Sequence, residues 1–135
     1  MASIIDIEGT SEKYAEILKG KAGIRTTQKL LKVCATPKGR QELAEKTGIS
    51  PKLILEWANL AHLMRIKGVG EEYSDLLEEA GVDTVKELKQ RVPNNLFEKM
   101  TDINHEKNLV RRLPTLSMVE SWVEQAKHLP SVLEY

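Results

Sequence analysis

Aromatic residues are scarce in this chain: two Trp, three Tyr and one Phe make up 4% of its 135 residues. Its core must therefore rest mainly on Leu, Ile, Val and Ala. A single cysteine, Cys34, excludes an internal disulfide and fits a reducing, cytoplasmic setting. No apolar run approaches the roughly 18 residues of a membrane span, so no membrane partner is expected. The opening residues, MASIIDIEG, lack a basic stretch followed by a long apolar one, and no secretory signal is expected. His62, His105 and His128 are far apart and have no Cys or carboxylate at ligand spacing, so neither a metal nor another cofactor is expected. No nucleophile–base pair can be named. The chain reads as a protein that is not an enzyme.

What is present describes an ordinary globular protein, with 41% hydrophobic and 30% charged residues. The length favours a single domain, residues 1–135. The formal net charge is zero but unevenly spread. Residues 1–65 hold 11 Lys/Arg against 7 Asp/Glu, and residues 66–135 hold 9 against 13. Between Lys13 and Arg40 there are eight basic residues and one acidic residue, Glu16.

The stretch 63–77, LMRIKGVGEEYSDLL, organises the rest. A helix ends near Arg65, the chain turns through Lys67, Gly68, Val69 and Gly70, and a second helix starts at Glu71. Two glycines one residue apart permit positive φ and a close backbone approach. Because the turn opens a helix, free N–H groups point outward at the positive end of a dipole. Residues 7–18 lie over residues 66–77 with Tyr14 over Tyr73, and residues 54–61 lie over 119–126 with Trp57 over Trp122. Two pseudo-repeats follow, approximately residues 4–65 and 66–129.

Nearly every segment reads as helix, and the expected fold is all-α. Helices are expected over 11–21, from Thr26 or Thr27 to Cys34, over 38–46, and from Pro51 to Arg65. In the second half Gly81 ends the exit helix, and Thr84 with Glu87 makes a capping box. Short helices are expected at 95–100 and 104–112, and Ser117 with Glu120 makes a second capping box that opens a helix to Leu129. Residues 3–7 could form a short extended piece.

The first turn is the weaker copy, because Ser11 replaces the second glycine; the turn is expected to be looser or more strained. Yet Lys13, Lys19, Lys21 and Arg25 lie close by and suit a nucleic-acid backbone. The second turn has both glycines, but Glu71, Glu72, Asp75, Glu78 and Glu79 crowd its exit helix. Residues 43–57 fit a helix-turn-helix pattern, but the second helix is apolar nearly all round and reads as buried, not as a reader of bases. Thr36-Pro37-Lys38-Gly39-Arg40 reads as an ordinary capped helix start. Trp57 and Trp122 read as core anchors.

These features carry a resemblance. LMRIKGVG looks like a helix-hairpin-helix motif, a device of nucleic-acid proteins that holds one phosphate. Residues 80–88 resemble part of the C-terminal domain of the bacterial RNA polymerase alpha subunit. With TPKGR, LAEKTGIS and ILEW, the two-copy pattern resembles an uncharacterised bacterial family of small proteins with tandem helix-hairpin-helix units. What this resemblance implies is fold first. For the site it implies backbone amides of Gly68, Val69 and Gly70 on a phosphate, and turn carbonyls on a monovalent cation.

The expected function is weak DNA binding that ignores base sequence. Its candidate residues are Gly9, Thr10, Ser11, Lys13, Lys21 and Arg25 in the first repeat, and Lys67, Gly68, Val69 and Gly70 in the second. The alternative is a protein-interaction or scaffold domain with purely structural hairpins, its partner another protein or a second copy of the chain. One packing expectation follows from the repeat. The first hairpin lacks an entry helix, so the C-terminal helix should pack beside it, with Trp122 on Tyr14, Ile17 and Leu18 of the same chain in a pseudo-two-fold domain, or of a second copy in a dimer in which the helix is swapped.

Overall fold

Capping chemistry sets most of the helix starts. The computed structural model describes residues 3–7 and 10–135; among them there are eight α-helices, one 3-10 turn and no strand, so the fold is all-α as expected. The described residues pack as two compact units. One runs through His62 and includes Ser131–Tyr135; the other is Leu63–Pro130.

The first unit holds a 3-10 turn (Ile4–Asp6) and helices α1 (Glu12–Ala22), α2 (Thr27–Val33), α3 (Pro37–Thr47) and α4 (Pro51–Leu63), the last residue of which opens the second unit. Ser11, Thr26 and Thr36 accept from the N–H groups of Tyr14, Lys29 and Gly39, which leaves fewer helix-end donors unsatisfied. Residues 3–7 are a 3-10 turn, not an extended piece, although Ser3 makes an isolated bridge to Thr26. Helices α1 and α2 both pack on α3. Ile54, Trp57, Ala58, Leu60 and Ala61 bury the apolar surface of α4. The Trp57 ring lies 5.2 Å from that of Tyr14. Burying one such indole contributes roughly 4–6 kcal/mol of gross transfer free energy.

Residues 131–135 complete this unit. Leu133 is buried, Glu134 N–H donates to the Ala35 carbonyl at 2.7 Å, and the Tyr135 hydroxyl donates to Asn59 Oδ1 at 2.5 Å. Beneath them buried Arg40 donates to the Cys34 carbonyl at 2.9 Å, with its guanidinium 6.0 Å from the Tyr135 ring centroid. Burial pushes the Cys34 thiol up to about 12, against a smaller opposing pull from Arg40. At neutral pH it is an inert apolar side chain.

The second unit holds α5 (Glu71–Glu79), α6 (Val85–Lys89), α7 (Pro93–Lys107) and α8 (Leu116–His128). Helix α5 packs on α7, and both α6 and α7 pack on α8. Several local details differ from expectation. The two short helices are one, α7, which Pro93 opens and Asn108 ends at φ 53°. Past that end, buried Asn104 exchanges two hydrogen bonds with the backbone of Val110 and holds the chain in. Helix α8 is capped by Thr115 and not Ser117, because Thr115 Oγ1 receives Met118 N–H at 3.1 Å. Only half of the Thr84–Glu87 capping box forms: Thr84 caps, while the Glu87 carboxylate pairs with Arg91 at 3.0 Å.

The packing expectation for the C-terminal helix is corrected. Trp122 lies 5.2 Å from the Tyr73 ring, in its own unit, just as Trp57 lies on Tyr14 in the other. The physical reason is that α8 buries its apolar face against α6 and α7 of its own unit. The turn Ile4–Asp6 supplies the same hydrogen bond that the end of α4 supplies to the second hairpin: Ile7 N–H to Ile4 carbonyl, against Ile66 N–H to Leu63 carbonyl.

Candidate nucleic-acid interface

The second turn is fixed from both ends of its own backbone. Ile66 N–H donates to Leu63, and Val69 N–H donates to Ile66, each at 3.0 Å. Ile66 and Val69 are thereby turned into the core, and Lys67, Gly68 and Gly70 are left exposed. The Val69 amide is spent inside the turn, so of the expected donors it is Gly68 and Gly70 whose N–H groups meet no acceptor among the described residues. Ser74 is fully buried, and it donates its hydroxyl to the Glu71 carbonyl.

Gly68 has φ +98°, which an L side chain rarely adopts. Gly70 is different. It is the N-cap of α5 at φ −108°, ψ −161°, ordinary extended backbone with no side-chain cap. Ser11, its counterpart in the first turn, has φ −81°, ψ 169° and caps α1 with its hydroxyl. At Ser11 itself the backbone is unstrained, because the position is an N-cap and not a left-handed turn residue. The first turn otherwise repeats the pattern 59 residues earlier: Thr10 N–H donates to Ile7, and Ala15 N–H to Ser11, as Val69 does to Ile66 and Ser74 to Gly70. Thr10 is buried where Val69 is buried. Gly9 lies outside the described residues.

The basic candidates separate. Lys13 sits in the first turn of α1, next to the hairpin, and is exposed. Lys21 is near the other end of that helix, eight residues on, or about 12 Å along the axis. Arg25 is exposed too, and its carbonyl receives Ile4 N–H at 3.0 Å. In the second unit, exposed Glu71 and Glu72 occupy the first turn of α5, where they favour the helix dipole and oppose an anion. Lys67 is the nearest exposed cation in sequence. Arg40 is withdrawn into the core, which removes it from the start of α3 as an anion ligand.

Two contributors on α8 are invisible in the motif. Gln125 accepts from Lys67 N–H at 2.9 Å and donates to the Lys67 carbonyl at 3.1 Å, clasping both backbone groups of the residue before Gly68. Trp122 places its Nε1 3.0 Å from where a Cβ on Gly68 would stand. The repeat alignment did carry a signal: Gln125 falls opposite Leu60, a polar residue in an apolar column.

Fold and site define a class: an all-helical protein of two compact units, in the second of which a tight turn opens a helix. The chain belongs to the family described as a domain of unknown function, DUF4332, whose model matches residues 8–129. No curated protein and no solved structure gives a significant match. Among the described residues no group of His, Cys, Asp or Glu could hold a metal ion, and no helix is long and apolar enough to cross a membrane.

Proposed function

We propose that the protein is a weak, sequence-independent nucleic-acid-binding module whose turns are helix-hairpin-helix turns that hold the phosphate backbone. The observation that carries this reading is the turn at residues 67–70, with the exposed, acceptor-free N–H groups of Gly68 and Gly70 at an uncapped helix start. Such a helix end attracts anions, and Lys67 and Lys13 add charge at the two turns. Base reading is not part of the proposal, because α4, the helix the pattern would put forward as reader, buries most of its apolar residues in the core.

The test is binding to an arbitrary duplex at about 50 and 200 mM salt. With three or four phosphates neutralised, log K should fall against log salt with a slope of about −3. A Lys13→Glu/Lys21→Glu double variant should bind more weakly. No binding of the wild type at the lower salt, or equal binding by the variant, refutes the reading. Glu71 and Glu72 favour the second reading, a protein-interaction module whose acidic turn meets a basic partner.

A further inference from the structure

Two cations converge on Gly81, an exposed glycine just past the end of α5 with φ +92°. The point where its Cβ would stand is 3.0 Å from Arg91 Nη2 and 3.6 Å from Lys99 Nζ, so the two charged nitrogens lie within about 7 Å of each other. Arg91 is held in place: its Nη2 donates to the Gly81 carbonyl at 3.2 Å and its Nε to Glu87 at 3.0 Å. The carbonyl end of a helix attracts cations, and Arg91 meets that need. Lys99, exposed on α7, makes no hydrogen bond or ion pair among the described residues. Of the acidic residues nearby in sequence, Glu87 is engaged by Arg91 and Glu79 by Lys107 at 2.8 Å. Like charges this close repel, and an anion between them relieves the repulsion. The first unit supplies the contrast. Gly23, opposite Gly81 in the repeat, has φ +66°, yet nothing beyond its chain neighbours lies within 4 Å of its missing Cβ.

We propose that Gly81, Arg91 and Lys99 form a phosphate-binding notch in the second unit, with Lys99 Nζ and the Arg91 guanidinium donating to different oxygens of one phosphate group. This deepens the nucleic-acid reading and rests on it for the source of the phosphate, the backbone of DNA. A tetrahedral phosphate suits two donors at this separation, because its oxygens are spread around the phosphorus and each accepts a charge-assisted bond of about 2.8 Å. Arg91 uses only part of its five-donor fork on Gly81 and Glu87. Gly81 leaves the floor of the notch open, where any side chain would place a carbon 3.0 Å from Nη2. The notch also gives the second unit positive charge at the other end of α5 from Glu71 and Glu72, roughly 13 Å along the axis.

The Gly81 amide and the Arg91 Nε–H of a 15N-labelled sample report on the notch. Inorganic phosphate, chloride at matched ionic strength and a short DNA duplex are titrated in turn. The proteins are wild type, Lys99→Gln, Lys99→Arg and Lys46→Gln, the last removing one exposed charge from α3 of the first unit. Lys99 bonds to nothing described, so the helical spectrum should be the same in all four. Phosphate and duplex should each move both signals in wild type, Lys99→Arg and Lys46→Gln, while chloride leaves them still. Lys99→Gln should bind phosphate about fivefold more weakly, and its duplex affinity should fall less steeply with salt, by about 0.9 in slope, one phosphate's share. Movement with phosphate but no binding of duplex upholds the notch and removes the nucleic-acid reading. Binding of duplex with both signals still overturns the notch and leaves that reading standing. No movement with either probe, equal movement in chloride, or equal losses in Lys99→Gln and Lys46→Gln overturns the notch.

Discussion

Replacing the two turn glycines one at a time separates two roles that look alike in sequence. At Gly68 an alanine must adopt φ +98°, at a cost of about 1–3 kcal/mol for a non-glycine residue. Its Cβ would also stand 3.0 Å from Trp122 Nε1, and a fully buried indole cannot retreat cheaply; such overpacking adds about 1–3 kcal/mol. Gly68→Ala should therefore destabilise the second unit by about 2–6 kcal/mol. At Gly70 the backbone is extended and nothing lies within 4 Å of an added Cβ. Gly70→Ala gains from a less flexible unfolded chain and loses slightly as a poorer cap, leaving it within about 0.5 kcal/mol of wild type. Gly70→Ser, which copies Ser11, should be as stable as wild type or more so. Urea unfolding followed by tryptophan fluorescence and far-UV circular dichroism measures all three. Equal costs for Gly68→Ala and Gly70→Ala would refute the reasoning.

Ionisation of Cys34 should make stability fall at high pH. The unfolded thiol ionises near 9.0 and the folded one only near 12, so the folded state holds the extra proton between them. Stability is unaffected below that window and drops within it by at most about 1.4 kcal/mol per pH unit. The difference between wild type and Cys34→Ala isolates it, and parallel pH curves would rule it out. Removing the cover over the Cys34–Arg40 corner should speed thiol labelling: Leu133→Asp and Tyr135→Ala should both react faster than wild type with a disulfide reagent under native conditions, and unchanged rates would show that residues 131–135 do not guard it. If Glu71 and Glu72 oppose phosphate, Glu71→Gln/Glu72→Gln should bind duplex a few-fold more tightly, with the gain shrinking as salt rises. Weaker binding by that variant would contradict the electrostatic account.

Helix existence was legible wherever a cap announced it. Thr36-Pro37 opens α3 and Ser11 opens α1, because each satisfies a helix-end donor through a local hydrogen bond. Where the sequence offered two local choices, tertiary contacts decided. Asn108 ends α7 and the Asn104–Val110 hydrogen bonds draw the chain in where the pattern alone would continue a helix to 112, and Thr115 caps α8 one half-turn before Ser117. The candidate site was legible as a backbone pattern only. Gly68 and Gly70 form a motif, yet which one carries the positive φ depends on a cap position that both could occupy. Gln125 and Trp122 come from a helix more than 50 residues downstream, and their relation to the turn is a property of packing that no local pattern encodes.

Residues 131–135 follow the whole of the second unit in the chain but complete the first. That order has a consequence during synthesis. The second unit is a continuous segment and can close as soon as α8 has emerged from the ribosome. The first unit emerges earlier yet lacks Leu133 and Tyr135 until the second has been translated. Its Cys34–Arg40 corner is left uncovered over that interval, so the unit made first is the one finished last.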